Sequence, residues 1–85
     1  MPTLILDNDF KKDLLFLSKL EQKQSVKAFR FLAENPMHPS LQIHRIQGTY
    51  YWEAYVNKDI RIIYEQNSDT LTLLAIGLHD ILKKF

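Results

Sequence analysis

The chain has 85 residues, of which 46% are hydrophobic and 25% charged, and its net charge is +1. This composition is typical of a folded globular protein and excludes a disordered chain, and the length suits one domain over residues 1–85. The sequence contains no cysteine, which excludes disulfide bonds and thiolate metal sites. No apolar run approaches the roughly 18 residues of a transmembrane helix, so we expect a cytoplasmic protein without a signal peptide.

The first part of the chain predicts a strand followed by two helices. Residues 3–6 are apolar and partly β-branched, which favours a strand. Asp7, Asn8 or Asp9 can cap a first helix. The apolar stripe of that helix would contain Phe10, Leu14, Leu17 and, at its edge, Leu15. A second helix is predicted over residues 21–34, before Pro36 ends it. Its apolar stripe would contain Val26, Phe29 and Ala33, widened by Phe31 and Leu32.

From residue 41 onward the hydrophobic period changes to two, which is typical of strands. Strands are predicted over residues 41–46, 51–56, 60–65 and 70–76, with a turn or bulge at Gly48. Residues 57–59 and 67–69 supply turn-forming side chains between the last three strands. The predicted order is β-α-α-β-β-β-β. This is an α+β fold in which a helical hairpin packs on one face of a mostly antiparallel sheet.

The length of the loop after residue 56 decides which side chains share a face. A three-residue loop puts Val56 opposite Ile60 and sends an apolar set to the core: Trp52, Ala54, Val56, Ile60, Ile62 and Tyr64. A two-residue loop would drive Glu53 into the core, where an unpaired charge is strongly unfavourable. We therefore predict the three-residue loop. It leaves Tyr51, Glu53, Tyr55 and Arg61 on an open face, where Arg61 can pair with Glu53 across the strands.

Three short features accompany this order of elements: Gln47-Gly48, the hairpin over residues 52–64 and the ending Gly77-Leu78-His79-Asp80. Together they resemble the RelE/ParE superfamily of small bacterial toxins, which are paired with antitoxins. The chain is similar to two branches of this superfamily. One has a Gly-x-His-Asp ending and a Trp-Glu-Ala-Arg-Val-Asn…Arg hairpin, in which Tyr55 replaces the first arginine. The other is the YafQ-like branch, whose members are ribosome-dependent mRNA nucleases. That branch has a His before Gln-Gly, an Ala-His-Val-x-x-Asp hairpin and a terminal Gly-x-His…Phe, similar to residues 44–48, 54–59 and 77–85. Tyr55 departs from the pattern, which has a histidine there.

The resemblance implies metal-free cleavage of mRNA. Such cleavage needs the 2′-OH deprotonated, the charge of the phosphorane stabilised and the leaving 5′-oxygen protonated. His79 is then the expected general acid or base, and Arg61 matches the arginine that RelE uses on phosphate. The further catalytic candidates are His44, Asp59 and Glu53. The pair of strand lysines found in RelE is absent from this sequence, and Glu53 and Tyr55 occupy approximately the corresponding positions.

The resemblance also implies two partners, a cognate antitoxin and mRNA on the ribosome. A net charge near zero attracts RNA weakly, which fits a protein whose message is positioned by the ribosome. The candidate RNA contacts are Arg45, Tyr51, Tyr55, Lys83, Lys84 and Phe85. Arg45 alternates to the opposite face from His44. We expect no cofactor and no metal, because the three histidines lack the spacing of a ligand set.

Two alternatives stay open at this point. ParE-type relatives inhibit DNA gyrase without catalysis and do not use this His-containing ending, so His79→Ala would leave their toxicity intact. A non-toxic or regulatory relative on the same fold is favoured by the missing lysines and by Tyr55. In that case overexpression would leave growth unchanged.

Overall fold

A computed structural model describes residues 2–78 and 80–81 of the chain. Its elements are β1 (Thr3–Leu6), α1 (Asn8–Leu15), α2 (Lys19–Glu34), a 3₁₀ turn (Pro39–Leu41), β2 (His44–Arg45), β3 (Tyr51–Tyr55), β4 (Ile60–Asn67) and β5 (Thr70–Leu78). The predicted order of strands and helices is confirmed. None of the described helices has the length and apolar character needed to cross a membrane.

The five described strands form one sheet in the order β1-β5-β4-β3-β2. β1 runs parallel to β5, and the other neighbouring strands are antiparallel. The helices pack on one face of this sheet and enclose the core with it, which confirms the predicted α+β architecture. The buried core residues are Phe10, Ala28, Leu32, Leu41, Ala54, Ile60, Ile62, Tyr64, Leu71, Leu73 and Ile76.

Both helices begin at caps that the sequence supplies. Asp7 caps α1, and its Oδ2 accepts the N–H of Asp9 at 3.1 Å. Ser18 and Glu21 form a reciprocal capping box at the start of α2. The box satisfies backbone N–H groups of the first turn. The helix therefore begins at Lys19 and not at the predicted residue 21.

The predicted apolar stripes of the helices are wrong at two positions, because Leu15 and Val26 are exposed. The buried face of α2 is formed by Ser25, Ala28 and Leu32. Val26 lies two positions before Ala28, about 200° away around a helix of 3.6 residues per turn, so the two cannot face the sheet together.

The predicted strand over residues 41–46 is mostly wrong. His38 caps the 3₁₀ turn through Nδ1, which accepts the N–H of Ser40 at 3.1 Å. Gln42 follows with a φ of 45°, and this left-handed conformation interrupts a strand. Only β2 remains as a strand in this segment. Gly48, with a φ of 80°, forms the predicted turn before β3.

The predicted three-residue loop between β3 and β4 is confirmed. Ala54 pairs with Ile62, and the N–H of Val56 donates to the carbonyl of Ile60 at 2.9 Å. Glu53 and Arg61 therefore point to the face of the sheet turned away from the helices, which we call the distal face. The prediction that this face is open is wrong, because Glu53 is 1% exposed and Arg61 7% exposed.

Ile81 helps to close the distal face. Gly77 on β5 pairs directly with Arg61 on β4, so a side chain at position 77 would point to the same side as Arg61. A Cβ on Gly77 would lie 2.9 Å from Cγ2 of Ile81. Ile81 therefore lies on the distal face close to Arg61, and the missing side chain of Gly77 leaves room for it.

Candidate active site

His44 and Glu53 are in close contact on the distal face. They lie directly opposite each other on β2 and β3, and His44 Nε2 is 2.9 Å from Glu53 Oε1. Among residues 2–78 and 80–81 this is the only close contact between a basic and an acidic side chain. The side chain of His44 is 51% exposed and that of Glu53 only 1%. A solvent-accessible imidazole therefore lies over a buried carboxyl group.

The hydrogen bonds of His44 determine how many protons the pair holds. Nδ1 lies 3.0 Å from the carbonyl oxygen of Gln42, which can only accept, so Nδ1 carries a proton. His44 Nε2 and Glu53 Oε1 then share a second proton. The pair is either imidazolium and carboxylate or neutral imidazole and carboxylic acid. A proton held between two such groups can be transferred to or from a substrate.

The other carboxyl oxygen of Glu53 has no such contact among the described residues. Oε2 is buried and has no hydrogen-bond partner in the described part of the chain. A buried polar atom without a partner typically costs about 1–3 kcal/mol of stability. Such a cost is common where a residue serves function at the expense of stability. Glu53 is therefore a stronger candidate for a functional residue than its place in the sequence indicates.

Arg61 is held on the distal face by one end of its guanidinium group. Nη1 donates to the carbonyl of Asn57 at 2.7 Å and to that of Ile60 at 3.3 Å. Nε is buried and has no partner among the described residues. The predicted pair between Arg61 and Glu53 is not formed, since Glu53 pairs with His44. An N–H group of this kind can bind an anion once the side chains that bury it move.

Tyr55 lies between the histidine and the arginine. Cζ of Arg61 is 3.6 Å from the centroid of the Tyr55 ring, and the two residues pair directly across β3 and β4. The ring of His44 meets that of Tyr55 edge to face, with centroids 6.1 Å apart and an interplanar angle of 71°. We call His44, Glu53, Tyr55 and Arg61 the distal cluster. Because Arg61 covers one face of the tyrosine ring, that face is not free to stack on a base.

Three other predicted site residues, Asp59, Arg45 and Tyr51, do not belong to the distal cluster. Asp59 is exposed in the turn after β3, and its N–H donates to Asn57 Oδ1 at 2.8 Å. Arg45 lies on the opposite face, as its alternation with His44 predicts, and its Nε donates to the carbonyl of Thr49 at 3.2 Å. Tyr51 is half-buried on β3, two residues before Glu53.

The remaining predicted site residues, His79, Lys83, Lys84 and Phe85, lie outside the described residues. Within residues 2–78 and 80–81, no three His, Cys, Asp or Glu side chains are grouped so as to hold a metal ion. His44 and Glu53 are two side chains of this kind, and they contact each other. The chemistry that the described residues support is therefore proton transfer at the His44–Glu53 pair and anion binding at Arg61.

Sequence reasoning missed two contributors to this site. It assigned Asn57 only to the turn, yet the carbonyl of Asn57 holds Arg61. It also missed Gln24 on α2, whose Oε1 accepts a hydrogen bond from Asn57 Nδ2 at 2.8 Å. An Asn in a tight turn is a recognisable signal for backbone hydrogen bonding. Nothing local indicates a partner 33 residues away in the sequence.

No family model and no curated protein matches the chain, whereas several solved structures do. The metal-bound toxin from Helicobacter pylori has 29% sequence identity and a TM-score of 0.79, over 96% of this chain and 99% of that one. The toxin–antitoxin complex of DinJ and YafQ from E. coli has 21% identity and a TM-score of 0.79, over 95% and 96% of the two chains.

A third structure with a similar fold is archaeal. The RelE–RelB complex from Pyrococcus horikoshii has 18% identity and a TM-score of 0.75, over 91% of this chain and 93% of that one. These matches cover nearly the whole of both chains in each case. The resemblance that the sequence predicted is therefore confirmed in the three-dimensional fold.

Proposed function

We propose, on the premise that the chain has the fold of the RelE/YafQ-like toxin superfamily, that it is the toxin of a bacterial type II toxin–antitoxin pair and cleaves mRNA on the ribosome. The observation that carries the proposal is the half-exposed imidazole of His44 over the buried carboxyl group of Glu53. Arg61 lies on the same face of the same sheet. A proton-transfer pair beside an anion-binding group is what cleavage through the RNA 2′-OH requires.

His44 is the proposed general base. Its contact with the carbonyl of Gln42 is exposed, so a 2′-hydroxyl can take the place of that carbonyl at Nδ1. In the reactive form Nδ1 has first lost its own proton to solvent, so that the ring is neutral and carries its proton on Nε2. Nδ1 then accepts the proton of the 2′-OH while Nε2–H stays bonded to the Glu53 carboxylate. The carboxylate orients the ring and stabilises the imidazolium that forms, as an acid behind a catalytic histidine does in hydrolases. Glu53 thereby acts through His44 without touching the RNA.

Arg61 is the proposed ligand of the scissile phosphate. The 2′-oxygen forms a bond to phosphorus and the bond from phosphorus to the 5′-oxygen breaks, which leaves a 2′,3′-cyclic phosphate and a 5′-hydroxyl. Nε–H of Arg61, which has no partner in the described residues, stabilises the negative charge of the phosphorane. Because Arg61 is only 7% exposed, RNA binding requires the side chains that cover Arg61 to move.

The leaving 5′-oxygen needs a proton, and His79, which the resemblance gives as a general acid or base, is the proposed donor. Asp59, at the exposed turn beside the distal cluster, is a second proposed group for proton transfer. Lys83, Lys84 and Phe85 remain proposed RNA contacts with Tyr51. Arg45 lies on the opposite face, where it could reach only a more distant part of the message. The cleavage reaction itself uses no cofactor in this proposal.

The proposed protein partner is a cognate antitoxin. DinJ is bound to YafQ, and RelB to RelE, in two of the matching structures. The proposed location is the cytoplasm, where mRNA and ribosomes lie. The net charge of +1 gives little general attraction to RNA, so the ribosome would present the message to the distal cluster.

Induced expression in bacterial cells tests the proposal. Growth and the 5′ ends of mRNA are measured for the wild type, His79→Ala and His44→Ala, with His38→Gln as a control histidine outside the distal face. We expect growth arrest with new mRNA 5′ ends in the wild type and the control, and loss of both in the two site variants. Arrest without new ends, unchanged by the variants, would identify a non-catalytic inhibitor. Normal growth despite abundant protein would identify a non-toxic relative.

A further inference from the structure

Asn57 is a junction between α2, the β3–β4 turn and Arg61. Its Oδ1 accepts the backbone N–H groups of Asp59 and Ile60, each at 2.8 Å. Its Nδ2 donates to Oε1 of Gln24 at 2.8 Å, and its carbonyl oxygen accepts from Arg61 Nη1 at 2.7 Å. One residue therefore connects a helix, a turn and the proposed phosphate ligand.

The bond to Gln24 is not needed for the turn. An Asn closes a turn through its side-chain oxygen alone, and Oδ1 of Asn57 already makes two such bonds. The Nδ2 bond instead ties the tip of the hairpin to α2, between two half-buried side chains. It therefore restricts where the backbone carbonyl of Asn57 lies relative to the body of the protein.

The position of that carbonyl determines how Arg61 is presented. Nη1 is occupied by the carbonyls of Asn57 and Ile60, and the face of the guanidinium is covered by Tyr55. The edge formed by Nε and Nη2 remains, and Nε is buried and has no partner among the described residues. Two parallel N–H groups of this kind match two oxygens of a phosphate.

We propose that Asn57, held by Gln24, is a positioning residue that directs the Nε edge of Arg61 toward a phosphate oxygen. The identity of the anion as the scissile phosphate of RNA rests on the proposed function. The positioning of Arg61 does not depend on it. Because orientation of a charged group contributes strongly to catalysis, loss of the Gln24 contact should slow cleavage although Gln24 itself never touches the RNA.

Substitutions at Gln24 separate positioning from a general effect on the fold. Gln24→Ala removes the acceptor for Asn57 Nδ2 and introduces the strongest helix former, so α2 is not weakened. Gln24→Glu keeps an acceptor oxygen at the same place. Val26→Ala shortens an exposed side chain of the same helix and is the matched control. All three leave His44, Glu53 and Arg61 unchanged.

Two readouts are needed. The ¹⁵N-edited NMR signal of Arg61 Nε–H, followed during titration with inorganic phosphate, reports the position of the guanidinium without any RNA. Single-turnover cleavage of ribosome-bound mRNA reports the reaction. We expect Gln24→Ala to shift or broaden the Nε–H signal, weaken the phosphate response and slow cleavage about ten-fold. Gln24→Glu and Val26→Ala should behave as the wild type.

An unchanged Nε–H signal and phosphate titration in Gln24→Ala would overturn the proposal. Equal losses in Gln24→Ala, Gln24→Glu and Val26→Ala would also overturn it, because they would show a general effect of changing α2. If the wild type does not cleave mRNA but the Nε–H signal responds to Gln24→Ala alone, the proposed function fails and the positioning role of Asn57 stands.

Discussion

His44 Nε2 lies 2.9 Å from Glu53 Oε1, and the two partners differ sharply in exposure, at 51% and 1% of their side chains. The exposed partner can be hydrated if the contact is lost, whereas the buried partner cannot. Breaking the pair from either side should therefore have opposite effects on stability. If the pair served only to stabilise the fold, replacing either partner would lower stability. If Glu53 is buried for function, only the replacement of His44 should lower it.

The first prediction concerns the stability of the pair. His44→Ala leaves the Glu53 carboxyl group buried without its partner and should lower the free energy of unfolding by about 1–3 kcal/mol. Glu53→Met removes the buried carboxyl group, including Oε2, which has no partner among the described residues, and should leave that free energy unchanged or higher. Urea unfolding at neutral pH measures both, with the exposed turn variant Lys58→Ala as the control. A Glu53→Met protein less stable than His44→Ala would contradict the account.

The second prediction concerns the ring of Tyr55, whose centroid lies 3.6 Å from Cζ of Arg61. Tyr55→Phe keeps the aromatic face and should keep cleavage close to that of the wild type. Tyr55→Leu removes a cation–π contact worth about 0.5–2 kcal/mol, which corresponds to a loss of about 2- to 30-fold in rate if the contact aligns Arg61. The two variants are compared in single-turnover cleavage. An equal loss in both would assign the role to the tyrosine hydroxyl and not to the ring.

The third prediction concerns Gly77. Its replacement by Ala would place a Cβ 2.9 Å from Cγ2 of Ile81, a distance shorter than van der Waals contact. Gly77→Ala should therefore destabilise the protein by about 1–3 kcal/mol through overpacking. Adding Ile81→Ala should recover part of this loss, so the two effects should be non-additive. Thermal unfolding of the single and double variants measures the coupling, and strict additivity would show that residues 77 and 81 do not meet.

The fourth prediction concerns stability at alkaline pH. Burial raises the pKa of Tyr64 from its usual 10.0 to about 12, because the charged phenolate is poorly solvated in the core. The unfolded chain then loses this proton at a lower pH than the folded protein. The contribution of Tyr64 to stability is complete below pH 10 and is lost as the pH rises through 12, a fall of about 2 kcal/mol. Tyr64→Phe should remove this dependence. Parallel stability curves for the two proteins between pH 9 and 12 would contradict it.

The sequence predicts the fold well because the information it uses is local. The alternation of apolar residues and the turn at residues 57–59 were sufficient to predict the register between β3 and β4. The error over residues 41–46 has a local cause as well, since the conformation of Gln42 at φ 45° is not a common property of glutamine.

Whether the distal face is exposed or covered could not be predicted from local sequence patterns. Alternation shows that Glu53 and Arg61 share a face, but not whether another part of the chain covers it. The choice of partner for Glu53 also depends on the register between β2 and β3, which a two-residue strand specifies weakly. Contacts such as that of Gln24 with Asn57 depend on how a helix docks on a sheet, which no short pattern encodes.

The most direct test of the account is single-turnover cleavage of ribosome-bound mRNA by the wild type and by Glu53→Met. The account predicts that the wild type yields fragments with a 2′,3′-cyclic phosphate. It also predicts that Glu53→Met, although at least as stable, cleaves about 100-fold more slowly, because His44 loses the carboxylate that stabilises its protonated form. Equal cleavage by the two proteins would show that the His44–Glu53 pair is not the catalytic group. The absence of any cleavage by the folded wild type would contradict the proposed nuclease activity itself.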